Sequence, residues 1–468
     1  MMTSYTMTIN GKSIESEQTF EVINPATGSS FADCPDCMKS QLDDAMESAL
    51  RAFPEWGKDK KKRVQTLHAC AAALKSHGDM LAQILTREQG KPLKDALYEI
   101  NRSVSWIEAV VSLDLHSQVI QDDSAALIQA HHKPIGVVAA ITPWNYPILL
   151  ALAKIVPALL VGDTVVLKPS PFTPLATLNM GEILRDLLPP GVLNIVSGGD
   201  ELGSWMTMHP VVRKISFTGS VETGKKVAQA AAPDLKRIDL ELGGNDPAIV
   251  LPDVDPQKVA EKLFWGAFRN NGQVCIDIKR LYLHEKIFWR LVQEIAVIAR
   301  AVRVGDGFDP ASQLGPVNNK PQFDRVIDLV EDAKKSGATM VTGGEPLGGP
   351  GYFYPPTIVT GIAEGTRLVD EEQFGPALPV MTFGDVDEAL ERANATHFGL
   401  GGSIWTNDID RGAELASRLE CGTGWVNQHG VVSPFAPVGG VKWSGIGYQF
   451  GLSGLEELTE MQVINIAR

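Results

Sequence analysis

Three things are scarce in this sequence, and each scarcity removes a class of protein. Cysteine occurs only five times in 468 residues, at Cys34, Cys37, Cys70, Cys275 and Cys421. So low and odd a count does not build a disulfide framework, and it suits a reducing compartment, so a cytoplasmic location is expected. Basic charge is in deficit: 42 Lys and Arg stand against 56 Asp and Glu, a formal net charge of −14. Nucleic acids and anionic membranes favour basic surfaces and are not expected as partners. The single basic cluster, Lys58 with Lys60, Lys61, Lys62 and Arg63, reads as a solvated helix face. Long apolar runs are missing too. The most apolar stretch, residues 148–161, is short and is interrupted by Lys154 and Pro157, so it is not a membrane span. The opening Met1-Met-Thr-Ser-Tyr-Thr has no cationic start and no apolar core, and no secretory signal is expected there. No metal site is expected: Cys34-Pro-Asp-Cys37 has zinc or redox spacing, but no second Cys or His pair accompanies it.

What is present describes an ordinary soluble globular chain, 44% hydrophobic and 21% charged. Its length suits two or three domains. After a short extended start, the first ~115 residues read as mostly helical. Leu42, Ala45, Met46, Ala49, Leu50 and Phe53 recur at helical spacing, and a second helical block runs from Lys62 to Leu85. From Leu127 the pattern changes to short β-rich runs alternating with helices: residues 136–141, 164–167, 193–196, 214–217 and 237–240. That alternation predicts an α/β fold with a parallel sheet and crossover helices. A second α/β segment extends from about Leu242 to Val432, with a strand at 248–251 and a helix starting near Pro256. The glycine-rich stretch 343–351 is a loop within it. Gly445-Ile-Gly447-Tyr-Gln-Phe-Gly451 has the wrong spacing for a dinucleotide fingerprint and lacks a preceding strand.

The chemistry gathers at two places. Phe268-Arg-Asn-Asn-Gly-Gln-Val-Cys275 offers a sulfur nucleophile, and Leu240-Glu241-Leu242-Gly243-Gly244 offers a general base. A free thiol titrates near ~8.5, so backbone N–H groups converging on the sulfur are expected to lower that value and activate it. Gly272 permits the tight backbone path such a loop needs. A thiolate adds to an aldehyde to give a thiohemiacetal, loss of hydride gives a thioester, and Glu241 is placed in sequence to activate the water that cleaves it. Taken singly, each residue is as readily an inert buried cysteine or a surface carboxylate.

Further motifs decide between these readings: Pro143-Trp144-Asn145-Tyr146-Pro147, Lys168-Pro169-Ser170, Phe217-Thr218-Gly219-Ser220 and Glu371-Glu372-Gln373-Phe374-Gly375-Pro376. With them in order, the chain closely resembles the aldehyde dehydrogenase superfamily from about Asn24 to its C-terminus. The resemblance implies a Rossmann-type cofactor domain (1–117 and 136–240, with 433–455), an α/β catalytic domain (241–432) and a small β oligomerisation arm (118–135 and 456–468). It implies Cys275 as nucleophile, Glu241 as base and Asn145 as the side-chain donor of the oxyanion hole. NAD is the implied cofactor, with NADP possible. Its cleft is implied to comprise Ile141, Pro143, Trp144, Lys168, Ser170, Gly219, Ser220, Leu242, Gly243, Glu372 and Phe374. Within that set Lys168 matches the contact to the adenosine ribose, Gly219 and Ser220 the pyrophosphate contact, Glu372 the nicotinamide ribose contact and Phe374 the aromatic beside the nicotinamide. The substrate pocket is implied to be Tyr146, Leu149, Leu150, Trp265, Arg269 and Ile276. A hairpin near 118–134 and the tail Met461–Ile466 are implied to pair subunits in a homodimer or homotetramer.

Three positions depart from the family pattern. Pro171 stands where NAD-preferring members often have a glutamate, Asn245-Asp246 follows the glycine pair where lysine is common, and Arg269 stands where several members are apolar. Most of the pocket positions are apolar, which implies a medium-chain aliphatic or aromatic aldehyde. The alternative is a carboxylate-bearing semialdehyde held by Arg269. A second arginine that would complete such a clamp falls on Ala153 here. A CoA-acylating relative is disfavoured by the presence of Glu241. A non-catalytic structural member is disfavoured by intact Cys275, Glu241, Asn145, Lys168 and Glu372.

Overall fold

The computed structural model of the protein describes residues 5–468, so the part of the N-terminal reading that concerns Met1 to Ser4 lies outside the described residues. The β-rich runs form the centre of an eight-stranded sheet. In spatial order its parallel strands are Arg237–Glu241, Val212–Thr218, Val137–Ile141, Thr164–Lys168 and Leu193–Ile195. Val137 to Ala140 are fully buried, as expected where helices cover both faces of a parallel sheet. Antiparallel strands close the edges: Gly445–Ile446 beside Arg237–Glu241, and Met7–Ile9 with Lys12–Ile14 at the other end.

The chain leaves Val137–Ile141 for the strand on one side and later returns to build Val212–Thr218 on the other. Strand order therefore reverses at Val137–Ile141. In open α/β sheets the crevice beyond the carboxyl ends at such a reversal is where ligands bind.

A second, seven-stranded sheet has the order Thr339–Thr342, Thr357–Thr360, Ala377–Phe383, Arg280–His284, Pro247–Val250, Gly401–Trp405, Thr423–Val426. Only its first pair is antiparallel. The short segment 242–246 joins the last central strand of the first sheet directly to Pro247–Val250 of the second. A third sheet pairs Gln118–Asp122 with Ala126–Pro134 and Ala126–Pro134 with Thr459–Ala467, all antiparallel. The hairpin and the β-like tail read from the sequence thus meet within one chain.

Two local expectations change. The block from Lys62 to Leu85 is not one helix but two, Lys60–Ser76 and Gly78–Gln89, parted at His77, whose φ of −104° and ψ of 12° leave the helical region. The extended start is longer than read, with four strands before the helix Lys39–Trp56. No helix among the described residues is long and apolar enough to cross a membrane, and no group of three or more His, Cys, Asp or Glu among them is placed to hold a metal ion. Cys34 and Cys37 are buried and unbridged, and burial pushes both thiols up to about 12.

Candidate active site

The motifs around Asn145, Lys168, Ser220 and Glu241 lie at the carboxyl ends of adjacent strands of the first sheet. Register aligns Ile141 with Lys168 on one side and with Phe217 on the other, and Thr218 with Glu241. Thr142 N donates to Lys168 O at 3.1 Å and Gly219 N to Glu241 O at 3.1 Å, so the strand ends stay in register as the chain leaves the sheet. Ser220 caps the helix Val221–Ala231 by accepting from Thr223 N at 3.2 Å. Ser170 Oγ accepts from Phe172 N at 3.3 Å. Leu242 N donates to Ser444 O, and Ser444 Oγ donates to Gly243 O at 2.7 Å, which fixes the strand-to-strand segment. Glu372 comes from the second sheet's side and accepts from Gly244 N at 3.1 Å. A Cβ on Gly243 would run into the Glu372 carboxylate and displace it, so glycine here lets that carboxylate approach the backbone closely. Trp144 and Phe374 meet edge to face at 5.3 Å.

These residues fit a dinucleotide. Lys168 is buried with its ammonium donating only to its neighbour Pro169 O at 3.3 Å, and burial lowers its pKa to about 8. With Thr223 N taken by Ser220, the N–H groups of Val221 and Glu222 in the first turn have no intrahelical acceptor and are suited to an anion.

The Cys275 loop leaves the helix Pro256–Phe268 through an unusual turn. Asn270, Asn271 and Gly272 have φ of 47°, 57° and 74°, three left-handed residues in succession. Asn271 Nδ2 donates to Gly315 O at 3.0 Å, Gln273 Nε2 to Asn270 O at 2.7 Å, and Gln273 Oε1 accepts from Asn318 N at 2.8 Å. A Cβ on Gly272 would lie 2.4 Å from Gly375 O. Asn145 reaches the same loop: its Nδ2 donates to Gln273 O at 3.0 Å, while its Oδ1 is buried without a partner. One N–H of that amide is left for another acceptor.

The electrostatics at Cys275 differ from expectation. Burial, and after it the Glu241 carboxyl, pushes the thiol up to about 12, and Lys279 opposes this only in part. Low dielectric disfavours the thiolate here more than surrounding dipoles favour it.

Cys275, Glu241 and Asn145 line one cavity of about 410 Å³. Its wall carries Tyr146, Leu149, Leu150, Arg269 and Ile276, all expected there, together with Tyr98, Trp106, Val432 and Phe450, which the sequence did not suggest. Trp265 is absent from that wall. It lies half-buried on the helix Pro256–Phe268, edge to face with its neighbour Phe264 at 5.1 Å and against the core beneath the second sheet. Ala153 is likewise buried and outside the wall. Arg269 is not free: its Nη2 donates to the fully buried Asp277 at 2.9 Å and its Nη1 to Gly430 O at 3.4 Å. Asp277 is two residues past Cys275, and that proximity in sequence was the available sign.

Behind Glu241 lies a buried ionic group that was also missed. Lys154 Nζ donates to Ser216 Oγ at 3.0 Å, Ser216 Oγ to Asp239 Oδ2 at 2.7 Å, and Gln449 Nε2 to the same oxygen at 2.9 Å. Lys214 bridges Asp239 at 3.1 Å and Glu457 at 3.4 Å. The available sign was Lys154 itself, a charge inside an otherwise apolar helix.

A model of the aldehyde dehydrogenase family matches residues 13–464. A probable aldehyde dehydrogenase from a Pseudomonas species is 39% identical over 472 residues, covering 99% of this chain and 95% of its own length. Phenylacetaldehyde dehydrogenase of Pseudomonas fluorescens is 38% identical over 470 residues, covering 97% and 93%. The structure of an aldehyde dehydrogenase from Bacillus cereus in complex with NAD+ superposes with a TM-score of 0.97 at 33% identity, covering 99% of this chain and 97% of that one.

Proposed function

The chain belongs to the aldehyde dehydrogenase family, and on that footing we propose that it oxidises uncharged medium-chain or aromatic aldehydes to their acids with NAD. The observation that carries this reading is the cavity: Cys275 and Glu241 open onto a mostly apolar chamber whose two lining arginines are already engaged, Arg269 by Asp277 and Arg102 by the Tyr98 hydroxyl and Val432 O. A volume of about 410 Å³ accommodates a phenyl ring or a medium alkyl chain. The relative named for phenylacetaldehyde supports the aromatic member of this pair.

In this reading Cys275 loses its proton to solvent and its sulfur adds to the carbonyl carbon, giving an adduct that becomes the thioester when its carbon gives up a hydride. The free N–H of Asn145 and the Cys275 backbone N–H hold the resulting oxyanion, an arrangement that is worth about 3 kcal/mol per donor in related chemistry. Bound NAD supplies the hydride acceptor. It would be held by Lys168, Ser220 and Glu372, with Trp144 and Phe374 against it. Glu241 then takes a proton from water, whose oxygen attacks the thioester and frees the thiolate.

A second reading, a carboxylate-bearing aldehyde bound by Arg269, rests on the position of Arg269 in the cavity wall and on its Nε, which has no partner. The Asp277 pair makes it the weaker one. A kinetic panel of aliphatic, aromatic and ω-carboxy aldehydes with NAD and NADP decides between them; kcat/KM highest for an ω-carboxy aldehyde overturns the neutral-substrate reading.

Two organisational proposals accompany it. The first sheet serves the cofactor and the second the nucleophile, divided near residue 241. The strand Thr459–Ala467 presents Met461, Val463, Ile464 and Ile466 to solvent, and its hairpin neighbour presents Val119 and Ile120. Such an exposed apolar strand invites pairing with a second copy. Sedimentation velocity on a Val463→Lys/Ile466→Lys variant tests this, with a smaller assembly expected.

A further inference from the structure

The turn that presents Asn145 rests on a fully buried ion pair. Lys91 lies between the helices Gly78–Gln89 and Leu93–Val111, and Glu99 lies on the second of them. Their side chains are 1% and 0% exposed. An ammonium has three N–H donors, and all three directions are occupied here. Lys91 Nζ meets Glu99 Oε2 at 2.6 Å and Asn145 O at 2.9 Å, and it stands 3.8 Å from the centre of the Tyr146 ring. The other oxygen of Glu99 accepts from Ile148 N at 3.0 Å and Leu149 N at 3.2 Å, the first turn of the helix Pro147–Val161. The pair therefore grips the carbonyl of the Asn145–Tyr146 peptide and the helix start that follows it.

Burying two charges costs several kcal/mol, and apolar residues of similar volume commonly replace such pairs without loss of stability. Stability alone is thus a poor reason for this pair. Its geometry has a use that apolar residues lack. Asn145 sits between the first sheet, which ends just before it, and the Cys275 loop, which it touches through Gln273 O. Misplacement of an oxyanion donor by about 1 Å is enough to cost on the order of 10²-fold in rate. Asn270 Nδ2 also donates to Asn145 O, at 3.2 Å, so the clamp and the nucleophile loop share one acceptor.

We infer that Lys91 and Glu99 are positioning residues for this reaction: they fix the Asn145 amide at the oxygen of the aldehyde relative to Cys275. The inference rests on the reading of Asn145 given above. The test is single-turnover NADH formation with saturating NAD and a neutral aldehyde, together with NAD affinity from tryptophan quenching. Lys91→Met is expected to slow the first turnover by about ten- to a hundredfold while changing NAD affinity by less than about twofold. If Lys91 acts through Asn145, then adding Lys91→Met to Asn145→Ala slows the reaction by no more than about threefold further. Multiplication of the two single effects, or an unchanged first turnover in Lys91→Met, overturns the inference. Should Lys91→Met fail to fold, Glu99→Gln, which keeps an acceptor for the helix N–H groups, is expected to slow the same phase, and a normal first turnover in it overturns the inference. A normal first turnover in Asn145→Ala alone refutes the oxyanion reading beneath, and is seen without reference to Lys91.

Discussion

Asp239 and Glu241 stand two residues apart on one strand, both close to Lys154, and are held in opposite protonation tendencies. Burial would raise Asp239, but Lys214, Lys154, Ser216 and Gln449 outweigh it and keep the carboxylate ionised. At Glu241 burial prevails over the pull of Lys154, with Asp239 adding to the rise, so its carboxyl sits well above the usual range. Neighbouring acids driven apart in this way mark an assigned base.

The base form of Glu241 therefore accumulates as pH rises past neutrality. Turnover limited by thioester hydrolysis should climb across that range, and Glu241→Gln should retain the first NADH burst while hydrolysis falls by about 10²-fold or more and loses its pH dependence. Lys154 favours the charged carboxyl, so Lys154→Met should move the climb to higher pH. A shift to lower pH contradicts the assignment. The readout is burst and steady-state NADH formation from pH 6 to 9.

Cys275→Ala should abolish turnover and leave NAD affinity nearly unchanged. With burial and Glu241 holding the thiol up to about 12, alkylation of Cys275 in the free enzyme should accelerate with pH and show no plateau below pH 9. Cys34, Cys37 and Cys70 are buried, so mass spectrometry should find them unlabelled while Cys275 reacts. A plateau near pH 7 indicates a thiolate already stabilised.

Asp277 decides what Arg269 can do. Asp277→Ala leaves Arg269 without its carboxylate at the cavity wall, and kcat/KM for an ω-carboxy aldehyde should rise by about 2 kcal/mol, roughly 30-fold, with little change for neutral aldehydes. No gain refutes the idea that the pair sets substrate charge. Arg269→Leu should affect neutral and acidic aldehydes alike. Burial raises Asp277 to about 6 even against Arg269, so its folded form favours the proton, and its contribution to stability is lost as pH rises through that value. Without Arg269 that value goes higher still. The Tm deficit of Arg269→Leu relative to the parent should be small at pH 5 and large at pH 8.

Pro171 removes a carboxylate that would repel a 2′-phosphate, and Lys168 is a cation suited to pair with it. NAD use with appreciable tolerance of NADP is expected, and Lys168→Met should cost NADP more than NAD. An NAD preference above ~10³-fold, more than about 4 kcal/mol, means that something else excludes the phosphate.

The parallel strands were legible because buried strands read as short apolar runs, and the motifs around Asn145, Lys168 and Ser220 stood out because each ends such a run. Lys91 with Asn145, Glu99 with Ile148, and Lys154 with Ser216 were not. Their partners lie roughly 50 to 60 residues apart, and nothing local in the sequence marks a pairing made only by the fold. Trp265 was placed in the pocket by resemblance alone, and in the fold it lies half-buried against the core of the second sheet, outside the cavity wall. The break at His77 escaped because apolar spacing continues across it.

The left-handed run Asn270-Asn271-Gly272 sets a limit on how this protein can diverge. Single left-handed residues are tolerated by Asn and Gly, and the conformation costs other residues roughly 1–2 kcal/mol each. The cavity wall can exchange one apolar side chain for another and so explore new aldehydes, but the approach to the nucleophile has almost no alternative spellings. Under selection for a new substrate, variation should therefore collect at Leu149, Leu150, Val432 and Phe450, while positions 270–272 stay confined to asparagine, aspartate and glycine.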